Sequence, residues 1–218
     1  MDRPFLLWCF ERLRDEYGSP EHKDPLDPLD ELVLTILSQN TNDRNRDKAY
    51  SALKAIFPDL SKIGKDDQGA VEDAIRIGGL ANTKSRNIVA LLADLRKRKG
   101  KASLEHLRVM DPRDAFDELV SIKGVGTKTA ACVMVFSLGQ PFFPVDTHIH
   151  RISIRLGIVP EGTSRERTQS ILDANVPDEW KYDGHLLLIE HGRKTCRARS
   201  PACGSCALSG RCPRIGAG

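Results

Sequence analysis

Four cysteines near the C-terminus are close enough in sequence to bind one metal centre. Their spacing is C-x6-C-x2-C-x5-C, and they are Cys196, Cys203, Cys206 and Cys212. Few apolar residues lie between them, so the segment needs another source of order, and a metal would supply it. Four-cysteine zinc sites and iron–sulfur cubanes take the same ligands. The spacing leaves both open, although a single compact stretch without two separated C-x2-C pairs favours a cluster.

The segment SIKGVGTKTA, residues 121–130, has the composition of a phosphate-binding turn. Gly124 and Gly126 allow positive φ or close backbone approach, and their amides can point at one phosphate together with those of the next helical turn. A nucleotide-binding P-loop needs Gly-Lys-Ser/Thr, and a dinucleotide fingerprint needs a preceding strand, so neither applies. A helix, a glycine hairpin and a second helix remain, which would bind one DNA phosphate without reading the bases.

Lys128 lies in the first turn of the helix that follows this hairpin. It could be an exposed cation directed at a phosphate. Alternatively, the positive end of the helix dipole and other nearby cations would make its amine easier to deprotonate. A neutral lysine amine is a nucleophile for carbonyl-like carbon. These residues alone leave both interpretations open.

The hydrophobic pattern predicts an all-α protein. Apolar residues recur at spacings of three and four, strand signals are scarce, and about ten helices of ordinary length would fit. Asp27 and Asp111, each followed by proline, predict helix starts, and Thr163 with Glu166 has the spacing of a capping box. Glycines predict three helix ends, at Gly100, Gly139 and Gly157.

Composition narrows the class of protein. The chain has 218 residues, 40% of them hydrophobic, and a net charge of +3, but residues 191–218 hold six Arg and Lys and no Asp or Glu. This basic tail makes nucleic acid a plausible partner. No segment has the length of a membrane span or the pattern of a signal peptide, so we expect a soluble intracellular protein. Cys9 and Cys132 lie in apolar contexts and are expected to be buried thiols.

Three motifs together resemble the endonuclease III branch of the helix-hairpin-helix DNA glycosylases. They are IKGVGTKTA, then PVDTH at 144–148, then HGRKTC leading into the four cysteines. The resemblance covers nearly the whole chain in the family's order. It implies an all-α, two-lobed fold with a six-helix lobe at 28–140. It also implies an iron–sulfur cluster lobe formed by 1–27 and 141–218, with DNA bound in the cleft between the lobes.

The resemblance also implies roles for individual residues. Lys128 would be the nucleophile, Asp146 its carboxylate partner, and the four cysteines would hold a [4Fe-4S] cluster. Asn40, with Gln39 beside it, would fill the gap left by an extruded nucleotide, and Leu80 would insert between bases as an apolar wedge. The expected contacts with the DNA backbone come from the hairpin and the basic tail: Gly124, Val125, Gly126, Thr127, Arg193, Lys194, Arg197 and Arg199.

The implied activity is that of a bifunctional DNA glycosylase and AP lyase of base excision repair. It would remove oxidised pyrimidines from double-stranded DNA and cut abasic sites, as a monomer in the cytoplasm of a bacterial cell, associated with the nucleoid. An adenine-removing relative would carry glutamate where Thr35 stands, and a mismatch thymine glycosylase would lack Lys128. A non-catalytic DNA-binding or redox-sensing iron–sulfur module would not need Lys128 with Asp146. Three residues depart from the family's pattern: Lys123 stands where the hairpin usually has proline, Asn40 is shorter than the usual glutamine, and Gln39 stands where a small residue is common. These positions bear on lesion preference and on contacts with the opposite base.

Overall fold

The computed structural model describes residues 3–217, and their regular structure is helical. The ten α-helices are α1 (Arg3–Tyr17), α2 (Pro28–Leu37), α3 (Asp43–Ile56), α4 (Gln68–Ile75), α5 (Ala81–Lys99), α6 (Pro112–Ser121), α7 (Thr127–Cys132), α8 (Thr147–Arg155), α9 (Arg165–Asn175) and α10 (Lys181–Lys194). This confirms the all-α prediction. Within the described range, no helix combines the length and apolarity that crossing a bilayer requires.

The chain divides into two compact units. The first, here called the hairpin unit, spans Pro25–Gln140 and contains α2 to α7. The second, the cysteine unit, combines the residues up to Asp24 with those from Pro141 onward, and contains α1, α8, α9 and α10. The cysteine unit is therefore built from both ends of the chain.

Local capping sets where several helices begin. Asp27 Oδ1 accepts a hydrogen bond from the amide of Leu29 at 2.8 Å, and Asp111 caps α6 in the same way. Both caps precede a proline, whose missing N–H costs nothing in the first turn. The predicted cap at Thr163 is wrong. Ser164 caps α9 instead, and the Thr163 hydroxyl donates to the carbonyl of Pro160.

The predicted helix ends coincide with left-handed glycines. Gly100, Gly139 and Gly157 have φ of 76°, 64° and 69°. The helix after the hairpin is not uniform, however, because α7 passes into a π-helical turn at Val133–Ser137. The amide of Leu138 donates to the carbonyl of Val133 at 3.1 Å, which widens the helix before it stops.

The hairpin unit is organised around α2. Its buried side chains include Leu32, Val33, Ile36 and Leu37, each at most 3% exposed. Helix α2 packs against α3, α5, α7 and the π-helical turn. Because α7 carries Lys128, this packing places that helix against the centre of the unit.

The core of the cysteine unit joins α1 to the C-terminal helices. Phe10 on α1 is fully buried and stacks on Trp180 at 5.5 Å between ring centroids. A Cβ at Gly184 would lie 2.9 Å from the Phe10 ring, so only glycine permits this approach of α10 to α1. Leu208, between the cysteines, is also fully buried in this core. The cysteine segment thus packs against the core formed by neighbouring helices.

Candidate functional site

The glycine hairpin presents its backbone to solvent. Ile122 ends α6, and the amide of Val125 donates to the Ile122 carbonyl at 3.0 Å, which closes the turn. Val125 points inward at 5% exposure, whereas Gly124 and Gly126 are exposed. Gly124 has φ of 91°, and no atom lies within 4 Å of the Cβ position of either glycine. A bulky anion can therefore approach these two residues closely.

Lys128 is the second residue of α7, directly after the hairpin, and its side chain is partly buried. Gly126 is the N-cap residue of α7, and the helix begins at Thr127. The charge of Lys128 acts on Glu31, a residue of α2. The amine therefore lies at a helix N-terminus with a carboxyl group of the same unit nearby.

Glu31 is a site residue that the sequence did not single out. Its side chain is only 8% exposed, and the hydroxyl of Thr35 donates to its Oε1 at 3.2 Å. Burial raises the pKa of Glu31 to about 7, although the Thr35 hydrogen bond and the charges of Lys128 and Arg46 act in the opposite direction. Glu31 lies opposite the apolar stripe formed by Leu29, Leu32, Val33 and Ile36, so the hydrophobic pattern of α2 held no signal for its burial.

The two turns that the resemblance assigns to the DNA gap both hold non-glycine residues in left-handed conformations. Asn40 has φ of 52° and Leu80 has φ of 51°. The side chain of Leu80 is 55% exposed. Gln39 and Asn40 are also exposed, and Ser38 is the C-cap residue of α2.

One open groove adjoins both turns. Its volume is about 550 Å³. It is lined by small and polar residues with one exposed isoleucine: Asn40, Thr41, Asn42, Asn45, Ile77, Gly78 and Gly79. The Asn40 turn and the segment just before Leu80 therefore face the same space.

Asp146 belongs to the cysteine unit and caps α8. Its Oδ1 accepts a hydrogen bond from the amide of Ile149 at 2.8 Å. The carboxylate is partly exposed and interacts electrostatically with Arg151. Asp146 therefore acts as the N-cap of α8. A carboxylate has further lone pairs, so capping leaves it able to accept a second partner.

The four cysteines line one cavity in the cysteine unit. Several N–H groups lie at hydrogen-bonding distance from their sulfurs. Arg155 Nη1 lies 3.4 Å from Cys196 Sγ, and the amide of Leu208 donates to Cys206 Sγ at 3.4 Å. The side chain of Arg155 lines this cavity. Its Nε is buried and has no hydrogen-bond partner among residues 3–217. These donors suit thiolates or another anionic group.

His191 extends this donor network. Burial lowers its pKa to about 4, which keeps the imidazole neutral at pH 7. The Tyr17 hydroxyl lies 3.0 Å from His191 Nδ1, and Nε2 lies 3.7 Å from Cys206 Sγ. A neutral imidazole has one donor and one acceptor nitrogen, so it can accept from the tyrosine and donate to the sulfur.

The cysteine geometry bears on the choice of metal centre. The four thiols line one cavity, and N–H groups lie near two of their sulfurs. Zinc and an iron–sulfur cubane both accept four thiolates, so this set of donors suits either centre. Cys9 and Cys132 are buried at 1% and 3% exposure, which confirms their expected burial.

All six cations of the basic tail are exposed, and some of them also contact other side chains. The four cations predicted to contact DNA are all exposed: Arg193, Lys194, Arg197 and Arg199. Lys194 pairs with Glu190 at 2.6 Å. Arg211 is exposed as well, and its guanidinium lies over the stacked rings of Phe5 and Trp8, at 4.8 and 5.1 Å from their centroids. The guanidinium of Arg211 thus packs on α1 as well as contributing charge.

Comparison with known proteins identifies the family. Residues 33–178 match the model of the HhH-GPD superfamily of base excision DNA repair proteins. The chain belongs to this superfamily. Endonuclease III of Escherichia coli K12 is 34% identical over 213 residues, which cover 97% of this HhH-GPD chain and 96% of the relative. A protein of Arabidopsis thaliana named as a candidate DNA glycosylase is 41% identical over 165 residues, but the match spans only 56% of the plant protein.

Solved structures agree with this assignment. A non-covalent endonuclease III–DNA complex superimposes with a TM-score of 0.80 at 28% identity, over 98% of this HhH-GPD chain and 96% of the other. A trapped endonuclease III–DNA covalent intermediate matches equally well, with a TM-score of 0.80. The resemblance to the endonuclease III branch is confirmed.

Proposed function

We propose that this protein is an endonuclease III-like DNA glycosylase and AP lyase that removes oxidised pyrimidines during base excision repair. The observation that carries the proposal is the position of Lys128, on the first turn of a helix that begins at an exposed glycine hairpin. A phosphate held at the hairpin would bring a deoxyribose to this amine. The endonuclease III–DNA complexes among the structural relatives support the same substrate class.

The reaction follows from a lysine nucleophile. The neutral amine of Lys128 forms a bond to C1′ of the damaged nucleotide, and the bond between C1′ and the base breaks with its electron pair leaving on the base. The sugar ring opens to a Schiff base on the lysine nitrogen. Loss of a proton from C2′ then expels the 3′ phosphate by β-elimination, and water releases the enzyme. Asp146, which the resemblance pairs with Lys128, would accept the lysine proton and offset positive charge on the sugar.

We further propose that the four cysteines hold a [4Fe-4S] cluster. The cluster would fix the basic tail, because its ligands bracket the exposed Arg197 and Arg199. The reaction above needs no electron. The contribution of the cluster is therefore to order a segment that lacks a core of its own.

Binding to double-stranded DNA would use both units. In the hairpin unit the backbone of residues 124–127 would bind a phosphate, Asn40 and Gln39 would fill the gap left by the extruded nucleotide, and Leu80 would separate neighbouring bases. In the cysteine unit the exposed tail cations would contact further phosphates. A monomer suffices for these contacts. A cytoplasmic, nucleoid-associated location stays a prediction.

The deciding experiment compares Lys128→Gln with Lys123→Gln. Lys123 is an exposed lysine on the same hairpin and is the matched control. We expect Lys128→Gln to lose strand cleavage of an abasic duplex by at least ~1000-fold while still binding it, and Lys123→Gln to retain cleavage. If Lys128→Gln cleaves as fast as the parent, the proposed chemistry is wrong.

A further inference from the structure

Lys84, in the first turn of α5, is buried at 2% exposure. Its Nζ donates to the carbonyl of Leu37 at 2.8 Å and to the carbonyl of Gly78 at 2.9 Å. Burial lowers the pKa of its amine. A buried amine costs free energy that an apolar side chain of similar length would avoid. Unlike an apolar side chain, the amine donates hydrogen bonds to two backbone carbonyls and so links two segments of the chain.

The first point is the end of α2. Leu37 is the last residue of that helix, and the final carbonyls of a helix lack partners within it. A cation at a helix C-terminus is also favoured by the helix dipole. Asn40, with φ of 52°, follows three residues later. Lys84 therefore anchors the helix end from which the Asn40 turn projects.

The second point is the turn that leads to Leu80. Gly78 lies two residues before Leu80 and is tightly packed, since a Cβ there would lie 3.2 Å from Ala49 Cβ. The amide of Lys84 also donates to the Leu80 carbonyl at 2.9 Å. The side chain and the backbone of Lys84 therefore hold both sides of the Leu80 turn.

Each turn is held in a conformation that does not persist by itself. Positive φ is strained for a residue other than glycine, and such a conformation lasts only where the surroundings determine the backbone. Asn40 and Leu80 both lie in this region, and the segments bonded to Lys84 lead directly into them. The same two segments adjoin one groove of about 550 Å³. A change at Lys84 would act on both turns at once.

We propose that Lys84 is a positioning residue that couples the Asn40 turn to the Leu80 turn, so that the gap-filling amide and the apolar wedge enter the duplex as one unit. This inference rests on the proposed function, because the roles of Asn40 and Leu80 belong to it. Lys84 touches neither the substrate nor Lys128 in this account. Its effect is on extrusion of the nucleotide, not on the chemistry that follows.

The test is a double-mutant cycle between Lys84→Met and Leu80→Ala. Single-turnover base removal is measured on a lesion duplex, with a fluorescent base opposite the lesion to report extrusion. We expect each single change to slow extrusion by about 10-fold or more. The pair should be little slower than either single variant, because Leu80 loses its effect once its position is no longer fixed. Independent effects that multiply would overturn the proposal.

Controls separate this proposal from folding and from the proposed function. Lys97→Met changes an exposed lysine of the same helix and should leave extrusion unchanged. Lys84→Gln keeps N–H donors on a shorter, uncharged side chain and should give an intermediate defect. If Lys84→Met does not fold, the cycle is run with Lys84→Gln. Borohydride trapping of the parent on abasic DNA reports the Lys128 chemistry separately. A parent that traps, with Lys84 variants that extrude normally, would refute this inference alone.

Discussion

The hydroxyl of Thr35 donates a hydrogen bond to the carboxyl group of Glu31, one turn earlier on α2, at 3.2 Å. The resemblance places Thr35 where an adenine-removing relative would carry glutamate. The chain thus has a carboxyl group in the same region of α2, displaced by one turn and 8% exposed. Burial raises the pKa of Glu31 to about 7, so this carboxyl group titrates near neutral pH.

Glu31→Gln should stabilise the protein at alkaline pH. The unfolded carboxyl titrates near its ordinary pKa of 4.5, whereas the folded one titrates at about 7. The folded state therefore binds the proton more tightly, and stability falls as pH rises from about 4.5 to 7. The free energy of unfolding of the variant relative to the parent should rise by on the order of 2 to 3 kcal/mol between pH 4.5 and 8.5. Urea titrations at both pH values measure this, and Glu179→Gln, an exposed change, should show no such trend.

Gly184→Ala should destabilise the cysteine unit by about 1 to 3 kcal/mol. The added methyl group would lie 2.9 Å from the Phe10 ring, which is fully buried and cannot swing away. Gly69 is the matched control, because it is also helical, in α4, and has no atom within 4 Å of its Cβ position. Gly69→Ala should be neutral or stabilising by up to ~1 kcal/mol. Equal effects in thermal unfolding would contradict the packing of α1 on α10.

Gly124→Ala should weaken DNA binding more than Gly126→Ala. Both positions face open space, but Gly124 has φ of 91°, and Gly126 has an ordinary extended conformation with φ of −90°. Alanine at 124 therefore strains the hairpin by about 1 kcal/mol or more, whereas alanine at 126 only adds a methyl group. Binding titrations on an abasic duplex should show at least about a fivefold larger loss at 124. The reverse order would mean that contact at Gly126, not hairpin conformation, controls affinity.

DNA binding should weaken steeply with salt, and the exposed tail cations should contribute to the slope. Each phosphate contact removed lowers the slope of log affinity against log salt by about 0.9. Arg197→Ala and Arg199→Ala should each reduce the slope by about this amount. Arg165→Ala, an exposed arginine on α9, serves as the comparison and should leave it unchanged. A slope that none of the tail changes alters would place the phosphate contacts elsewhere.

The metal centre can be identified directly on the purified protein. The [4Fe-4S] proposal predicts about four iron atoms per chain and a broad absorption near ~400 nm, whereas a zinc site would be colourless. Cys206→Ala should abolish the absorption and lower stability, because Cys206 packs against the core of the cysteine unit. Stoichiometric zinc without iron would contradict the proposal.

Features with a local cause were predictable from sequence. Asp27 and Asp111 each precede a proline and cap helices as expected, and the left-handed glycines follow the predicted ends. The start of α9 shifted by one residue because Thr163 and Ser164 both carry hydroxyls. With Ser164 as the cap, Glu166 is at the second helical position and makes no capping box.

Features with a tertiary cause were not predictable. Glu31 and Lys84 are charged residues on helices, which sequence alone places toward solvent. Both are buried because other segments of the hairpin unit cover them. In the sequence Arg211 is one more cation of the tail. The fold brings its guanidinium onto the rings of Phe5 and Trp8. The sequence motifs identified the hairpin and the cysteines. The residues that surround these two sites depend on which helices pack together, and the motifs do not specify that packing.

Whether Lys128 is the nucleophile can be tested by trapping the enzyme on an abasic duplex with borohydride and mapping the modified residue by mass spectrometry. Reduction of a Schiff base leaves a stable amine bond between the sugar and the nitrogen that attacked it. We expect a single adduct, on Lys128. An adduct on Lys123 or another lysine, or no adduct under conditions in which the strand is cut, would contradict it.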